Sequence, residues 1–179
     1  MDWLQSYLDY SGREPSWDLG CDESFQPGDL DETVAAMQGA LLPAPPDWTR
    51  LTKSRVAENK LRDRLESTLS ALGYKLTPPS DWSFAACWRK AITDGVWKRE
   101  SGHPRTLALE VKLKEDTEAP LCQAVDDISK FDAVVCVRVV TPLTKQKLQR
   151  VTPLQEEALR CLQKALPIRY INIDVSGMA

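Results

Sequence analysis

Residues 105–114 read Arg-Thr-Leu-Ala-Leu-Glu-Val-Lys-Leu-Lys, and this stretch is the most informative about the fold. Every second residue from position 107 to position 113 is leucine or valine, and Ala108, Glu110 and Lys112 stand between them. Successive side chains of a β-strand point to opposite faces, so the pattern predicts a strand with one fully apolar face. Glu110 and Lys112 are then neighbours on the other face of that strand.

The flanking segments predict the rest of an α/β domain. Apolar residues at helical spacing run from Val56 to Leu72 and stop at Gly73, a residue type common just after a helix. Residues 133–137 read Ala-Val-Val-Cys-Val, a continuous apolar run typical of an interior strand buried on both faces. We therefore expect a mixed central sheet flanked by helices on both faces. The remaining predicted elements are strands at Tyr74–Leu76, Trp82–Arg89, Ile92–Lys98 and Ile168–Val175, and helices at Ala119–Lys130 and Thr152–Leu166.

The N-terminal part of the chain differs in composition from the rest. Residues 1–47 contain ten acidic residues and one basic residue, which leaves 16 of the chain's 26 acidic and 22 of its 23 basic residues for the remainder. Prolines and glycines punctuate this stretch, which predicts an acidic arm over residues 1–50, partly disordered or docked, and a domain over residues 51–179. Within the arm, Asp29 to Leu42 is predicted to be helical with Asp29 as its N-cap.

Composition limits the class of protein. The chain is 42% hydrophobic and 27% charged, and it contains no apolar run long enough for a transmembrane helix. No signal peptide is visible at the N-terminus. The five cysteines are scattered and form no CxxC pair, so we expect neither a disulfide framework nor a zinc site, and a cytoplasmic location without membrane contact.

Glu110 and Lys112 suggest chemistry on phosphodiesters. A carboxylate can hold a hard cation that activates water, and an ammonium beside it can position the water and stabilise charge. A second carboxylate is needed, and Asp94, sixteen residues before Glu110, is the first candidate. Asp81 is an alternative ligand if the strand register differs. Asp94-Gly95 is equally a hairpin-turn signal.

These residues and the order of elements resemble the PD-(D/E)xK nuclease superfamily, whose core is helix, three strands, helix, strand. The resemblance rests on Asp94 and on Glu110-Val111-Lys112, and it covers about 120 residues from Arg55 to Asp174. It implies a restriction-endonuclease-like αβββαβ core with an added C-terminal helix and strand. The proline that often precedes the first aspartate is absent here.

The resemblance also implies an activity and a set of site residues. The activity would be metal-dependent hydrolysis of DNA, with RNA less favoured, using Mg²⁺ or Mn²⁺. Asp94 and Glu110 would be metal ligands and catalytic residues, with Lys112 as the catalytic lysine. Glu58 in the first helix would be an auxiliary metal ligand, and Gln123 in the later helix an auxiliary catalytic residue.

Other interpretations remain open at this stage. Glu110 and Lys112 can be a solvated ion pair, and Glu58 and Gln123 can be ordinary helix residues. The chain can also be a non-catalytic interaction or regulatory protein that keeps the nuclease-like fold, with the acidic arm docking a protein partner. A homodimer is a further alternative. The basic loop with Lys98, Arg99, His103 and Arg105 can contact a phosphate backbone or form a solvated hairpin tip.

Overall fold

The computed structural model describes residues 27–85, 90–113, 124, 127–128, 130–142, 163 and 166–178. Two helices have defined bounds, α1 at Pro27–Leu41 and α2 at Ser54–Ala71. The strands are β1 (Lys75–Leu76), β2 (Ser83–Ala85), β3 (Lys90–Ile92), β4 (Gly95–Lys98), β5 (Thr106–Lys112), β6 (Ala133–Val140) and β7 (Ile168–Asp174). Short 3-10 helices lie at Pro46–Arg50 and Pro79–Trp82. The predicted α/β class is confirmed.

A five-stranded mixed sheet organises the fold. Its strand order is β1-β4-β5-β6-β7, and β2 pairs with β3 in a separate two-stranded sheet. The pairs β1–β4 and β4–β5 are antiparallel, whereas β5–β6 and β6–β7 are parallel. The central β5 and β6 are buried along almost their whole length, as the continuous apolar run of β6 predicted.

The two faces of the sheet belong to different apolar clusters. On the first face, Leu107, Leu109 and Val111 of β5 join the buried residues of α1 and α2. On the second face, Ala108 joins a smaller cluster that contains Val134 of β6. The strand alternation predicted for residues 105–114 is therefore observed, and it places Glu110 and Lys112 on the second face.

Helix α2 was predicted accurately. Its buried residues are Ala57, Leu61, Leu65 and Leu69, which repeat at helical spacing. The helix ends at Ala71, and Gly73 follows with φ of 83°, the left-handed conformation that glycine adopts without steric cost. Val56 differs from the expectation, because its side chain is 43% exposed at the start of the helix.

Helix α1, which falls in the predicted arm, packs in the main core. Leu30, Met37 and Leu41 are completely buried, in the same cluster as the first face of the sheet. Asp31 is paired with Arg169 of β7 at 2.7 Å. The helix starts at Pro27, so Asp29 lies in its first turn instead of capping it. The boundary between residues 50 and 51 stays a prediction, although the core of the domain includes α1.

The segment 82–98 differs from the expected pair of strands. Trp82–Arg89 and Ile92–Lys98 were predicted, whereas the structure has β2 and β3 as one hairpin and β4 as a separate strand. Phe84 of β2 faces Ala91 of β3. The chain then bends at Asp94 and enters the main sheet at Gly95. Local pattern could not locate this bend, because its hydrogen bonds involve residues distant in sequence.

Some expectations fall outside the described residues. They include Gln123 and nearly all of the helix predicted at Thr152–Leu166, of which only Gln163 is described as helical. In the helix predicted at Ala119–Lys130, residues Ala124, Asp127 and Ile128 are helical. Among the described helices, none combines the length and apolar character needed to cross a membrane.

Candidate functional site

Asp94 is hydrogen-bonded to the two residues of β5 that flank Glu110. The register pairs Gly95 with Leu109, and the bend residue Asp94 directly precedes this pair, next to Glu110. The backbone N–H of Asp94 donates to the carbonyl of Leu109 at 2.9 Å. The backbone N–H of Val111 donates to Oδ2 of Asp94 at 2.7 Å. The two bonds involve the residues before and after Glu110, and they hold the Asp94 carboxylate beside that residue.

Glu110 and Lys112 form an ion pair on the second face. Nζ of Lys112 lies 3.1 Å from Oε2 of Glu110. The Glu110 side chain is completely buried, while the Lys112 side chain is 28% exposed. The pair therefore has a buried carboxylate end and an ammonium end that reaches the surface. This geometry differs from the solvated ion pair considered as an alternative.

Helix α2 supports the bend at Asp94. The Arg62 guanidinium donates hydrogen bonds to the carbonyl of Asp94 and to Asn59, and it lies 5.0 Å from the ring centroid of Trp82. A Cβ at Gly95 would lie 2.9 Å from the ring of Trp97 and 3.3 Å from the Arg62 side chain. Glycine is therefore required at position 95 by close packing.

Burial and like charge act together on the acidic groups. Burial raises the pKa of Asp94 to about 6, and the negative charge of Glu58 adds to this effect. Burial, together with the charges of Asp127 and Asp94, raises the pKa of Glu110 well above its usual value. Burial disfavours the charged form of Lys112, yet the Glu110 carboxylate keeps its pKa above the usual value. A cation at this place would relieve the repulsion among the carboxylates.

Asp127 is a buried carboxylate that sequence reasoning missed. Its side chain is completely buried, and its charge acts on Glu110. It lies three residues after the buried Ala124 on the helical segment that follows β5, so the two share one helix face. The sequence contained one signal for it: Asp127 falls on the face of the predicted helix that was expected to be apolar.

Polar residues continue across the sheet from Glu110. The parallel register pairs Glu110 with Cys136 of β6, and Cys136 with Tyr170 of β7. Cys136 is a buried free cysteine. Burial raises the pKa of the Cys136 thiol and of the Tyr170 hydroxyl above their usual values, so both are protonated at neutral pH.

Asp81 and one loop arginine have partners of their own. Asp81 is paired with Lys98, with 3.3 Å between Oδ2 and Nζ. In the basic loop, the Arg99 guanidinium donates to the carbonyls of His103 and Pro104 and lies 4.6 Å from the ring centroid of Tyr74. Arg99 thus holds the loop together.

The donor set fits a cation that is completed by other ligands. Within the described ranges, no group of three or more histidine, cysteine, aspartate or glutamate side chains is arranged to hold a metal ion. Mg²⁺ is commonly bound by one or two carboxylates, several waters and substrate phosphates. Asp94 and Glu110 provide two carboxylates, so their chemistry suits Mg²⁺ or Mn²⁺ of that kind.

Comparison with protein-family models, with curated proteins and with solved structures found no match for this chain.

Proposed function

We propose that the protein is a metal-dependent nuclease that hydrolyses DNA at the site formed by Asp94, Glu110 and Lys112. The observation that carries this proposal is the hydrogen bond that holds the Asp94 carboxylate on Val111, between Glu110 and Lys112, with the Lys112 ammonium 3.1 Å from the Glu110 carboxylate. Two carboxylates and an ammonium, held on β5 and on the bend before β4, are groups that suit cleavage of a phosphodiester by water and a divalent cation.

The order of elements supports the same proposal. Helix α2 precedes three antiparallel strands, β1, β4 and β5, and the helical segment with Asp127 leads to β6, which is parallel to β5. This order agrees with the αβββαβ core of the PD-(D/E)xK superfamily. Strand β7 is an addition beyond that core. The β2–β3 hairpin is a further insertion between β1 and β4.

The residues of the proposed site have different roles in catalysis. Asp94 and Glu110 would hold the cation, and the Val111 N–H fixes the orientation of Asp94. When bound, Mg²⁺ or Mn²⁺ would supply Lewis-acid stabilisation of the phosphate and acidify a water molecule. Lys112 stays protonated, donates to the attacking water and stabilises charge at the phosphorus. Burial of Glu110 limits competing hydration and strengthens these interactions.

Glu58 and Asp127 take auxiliary roles in this proposal. Glu58 lies in α2, near enough to Asp94 to raise the pKa of that aspartate, and it would be an auxiliary ligand of the cation. The negative charge of Asp127 acts on Glu110 and would be relieved by a cation bound there. Gln123 stays a predicted auxiliary residue outside the described part of the chain.

Cleavage of labelled single- and double-stranded DNA with Mg²⁺ or Mn²⁺ tests the proposal. We expect cleavage by the wild type that EDTA abolishes, and a loss of at least about a hundredfold in Lys112→Met and Asp94→Asn. Lys75→Gln on the edge strand β1 is the control, because it removes one exposed positive charge elsewhere. Equal activity in the wild type, Lys112→Met and Asp94→Asn would contradict the assignment.

A second candidate is a non-catalytic interaction protein with this fold. The observation that favours it is the complete burial of Glu110, which limits access of a cation from solvent. This candidate predicts that Glu110→Gln leaves metal binding and partner binding by the chain unchanged. The nuclease proposal predicts loss of metal binding in the same variant.

A further inference from the structure

The second face of the sheet changes from apolar to charged along β5, β6 and β7. We call a set of three residues paired across these strands a row. The register defines three successive rows, and the first is buried and belongs to the smaller apolar cluster. The rows are Ala108–Val134–Ile168, then Glu110–Cys136–Tyr170, then Lys112–Arg138–Asn172. The third row lies at the carboxyl ends of the parallel strands, the edge where ligands of open α/β sheets commonly bind.

The third row combines two cations with an amide. Lys112 pairs with Arg138 in the parallel register, and Arg138 pairs with Asn172. Neighbouring strands lie about 4.8 Å apart, so the three residues span about 10 Å of the sheet. Arg138 is half-buried and Asn172 is exposed, so the row opens to the surface as it leaves Lys112.

The chemistry of this row suits a phosphate. An arginine guanidinium offers paired N–H donors that match two phosphate oxygens, and the amide of asparagine adds a donor beside it. The row begins at Lys112, the residue that faces the phosphate to be cut in the proposed function. A nucleic-acid strand that crosses β5, β6 and β7 would therefore bring a further phosphate to Arg138.

We propose that Arg138, assisted by Asn172, anchors a DNA backbone phosphate next to the phosphate at the Asp94–Glu110–Lys112 site, an inference that rests on the proposed function. The row determines the direction in which the substrate strand crosses the sheet, from β5 towards β7. Contact with phosphate and not with bases means that the anchor is independent of DNA sequence.

Equilibrium binding of a fluorescein-labelled DNA duplex in EDTA tests this anchor without cleavage. Dissociation constants are measured by anisotropy at several salt concentrations for the wild type, Arg138→Gln and the charge-matched control Lys75→Gln. We expect Arg138→Gln to weaken binding about tenfold at low salt. We also expect the slope of the logarithm of affinity against the logarithm of salt concentration to fall by about 0.9, the loss of one phosphate contact.

A second pair of variants covers the case in which Arg138→Gln does not fold. Asn172→Asp places a negative charge at an exposed position of the row, and Ser70→Asp places one at an exposed position of α2. We expect Asn172→Asp to weaken DNA binding and Ser70→Asp to leave it within about twofold. Circular dichroism confirms that each variant is folded before binding is measured.

The outcomes separate this inference from the proposed function. Binding by Arg138→Gln and Asn172→Asp that equals binding by their controls overturns the anchor, as does a wild type that fails to bind DNA. Binding that depends on Arg138 in a wild type that cleaves no DNA with any metal supports the anchor and contradicts the nuclease. Cleavage with unchanged KM in both variants supports the nuclease and overturns the anchor.

Discussion

The carboxylate of Asp94 accepts a hydrogen bond from the backbone N–H of Val111, with 2.7 Å between Oδ2 and N. Val111 is the middle residue of Glu110-Val111-Lys112, so the acid that precedes β4 is fixed to the strand that carries the other two groups. The interaction explains why Asp94 is oriented towards Glu110 although it lies in a bend. Asp94-Gly95 is not a hairpin turn, because the strands that it joins, β3 and β4, belong to different sheets.

The raised pKa of Asp94 predicts greater stability at mildly acidic pH in metal-free buffer. A carboxyl whose pKa is about 6 when folded and 3.8 when unfolded takes up a proton in the folded state first. Stability from this group therefore increases as pH falls from 7 towards 4. Between pH 7 and pH 5 the expected gain in unfolding free energy is about 1 kcal/mol.

Urea unfolding at pH 7 and pH 5, for the wild type and Asp94→Asn, measures this gain. The variant should show a smaller increase than the wild type, because asparagine does not titrate. Glu110 contributes in the same direction in both proteins, so the difference between them is the informative quantity. An equal pH dependence in the two proteins would show that Asp94 has an ordinary pKa.

The Glu110–Lys112 pair predicts an asymmetric double-mutant cycle. Lys112→Met leaves a fully buried carboxylate without its cation and should lower the unfolding free energy by about 1–3 kcal/mol. Glu110→Gln should cost less, because Lys112 reaches the surface and the repulsion from Asp94 and Asp127 is removed. The double variant should be more stable than Lys112→Met alone.

Denaturant unfolding of the four proteins at neutral pH gives the coupling energy of the pair. Strictly additive changes would mean that the 3.1 Å contact contributes nothing to stability. In that case the two residues would act independently.

Gly95→Ala tests the packing that holds the bend at Asp94. The added methyl group would lie 2.9 Å from the Trp97 ring, which is 1% exposed and has little room to move. We expect a loss of about 1–3 kcal/mol in unfolding free energy. Gly39→Ala within α1 is the matched control, because no atom lies within 4 Å of its added methyl group.

The control should leave stability unchanged or raise it by up to about 1 kcal/mol through helix propensity. Thermal unfolding of both variants provides the comparison. If Gly95→Ala were as stable as Gly39→Ala, close packing would not explain the glycine.

Met37→Ala tests whether α1 is an integral part of the core. The Met37 side chain is completely buried in the cluster shared with the sheet. Its truncation should cost about 2–5 kcal/mol. Gln38→Ala, at the neighbouring exposed position, should change stability by less than about 0.5 kcal/mol. A small effect at Met37 would contradict an integral role of α1 in the core.

Sequence patterns predicted the elements whose burial follows a simple period. Strand β5 alternates, β6 begins with a continuous apolar run, and α2 repeats every three or four residues before Gly73. These features depend on local periodicity, so one sequence was sufficient to predict them.

The features that were missed depend on contacts between distant residues. The division of segment 82–98 follows from the bonds of Asp94 to β5 and α2. Asp127 gains its importance from burial and from the action of its charge on Glu110. The place of α1 in the core depends on which surface its apolar stripe contacts, which its sequence does not specify.

Calorimetric titration with Mn²⁺ tests the central claim most directly, comparing the wild type with Glu110→Gln and with Glu66→Gln on the exposed side of α2. The titration is performed with a DNA duplex present, because substrate phosphate completes many Mg²⁺ and Mn²⁺ sites. We expect Mn²⁺ binding by the wild type and by Glu66→Gln, and its loss in Glu110→Gln. Failure of the wild type to bind, or equal binding in all three proteins, would contradict a metal site at Asp94 and Glu110.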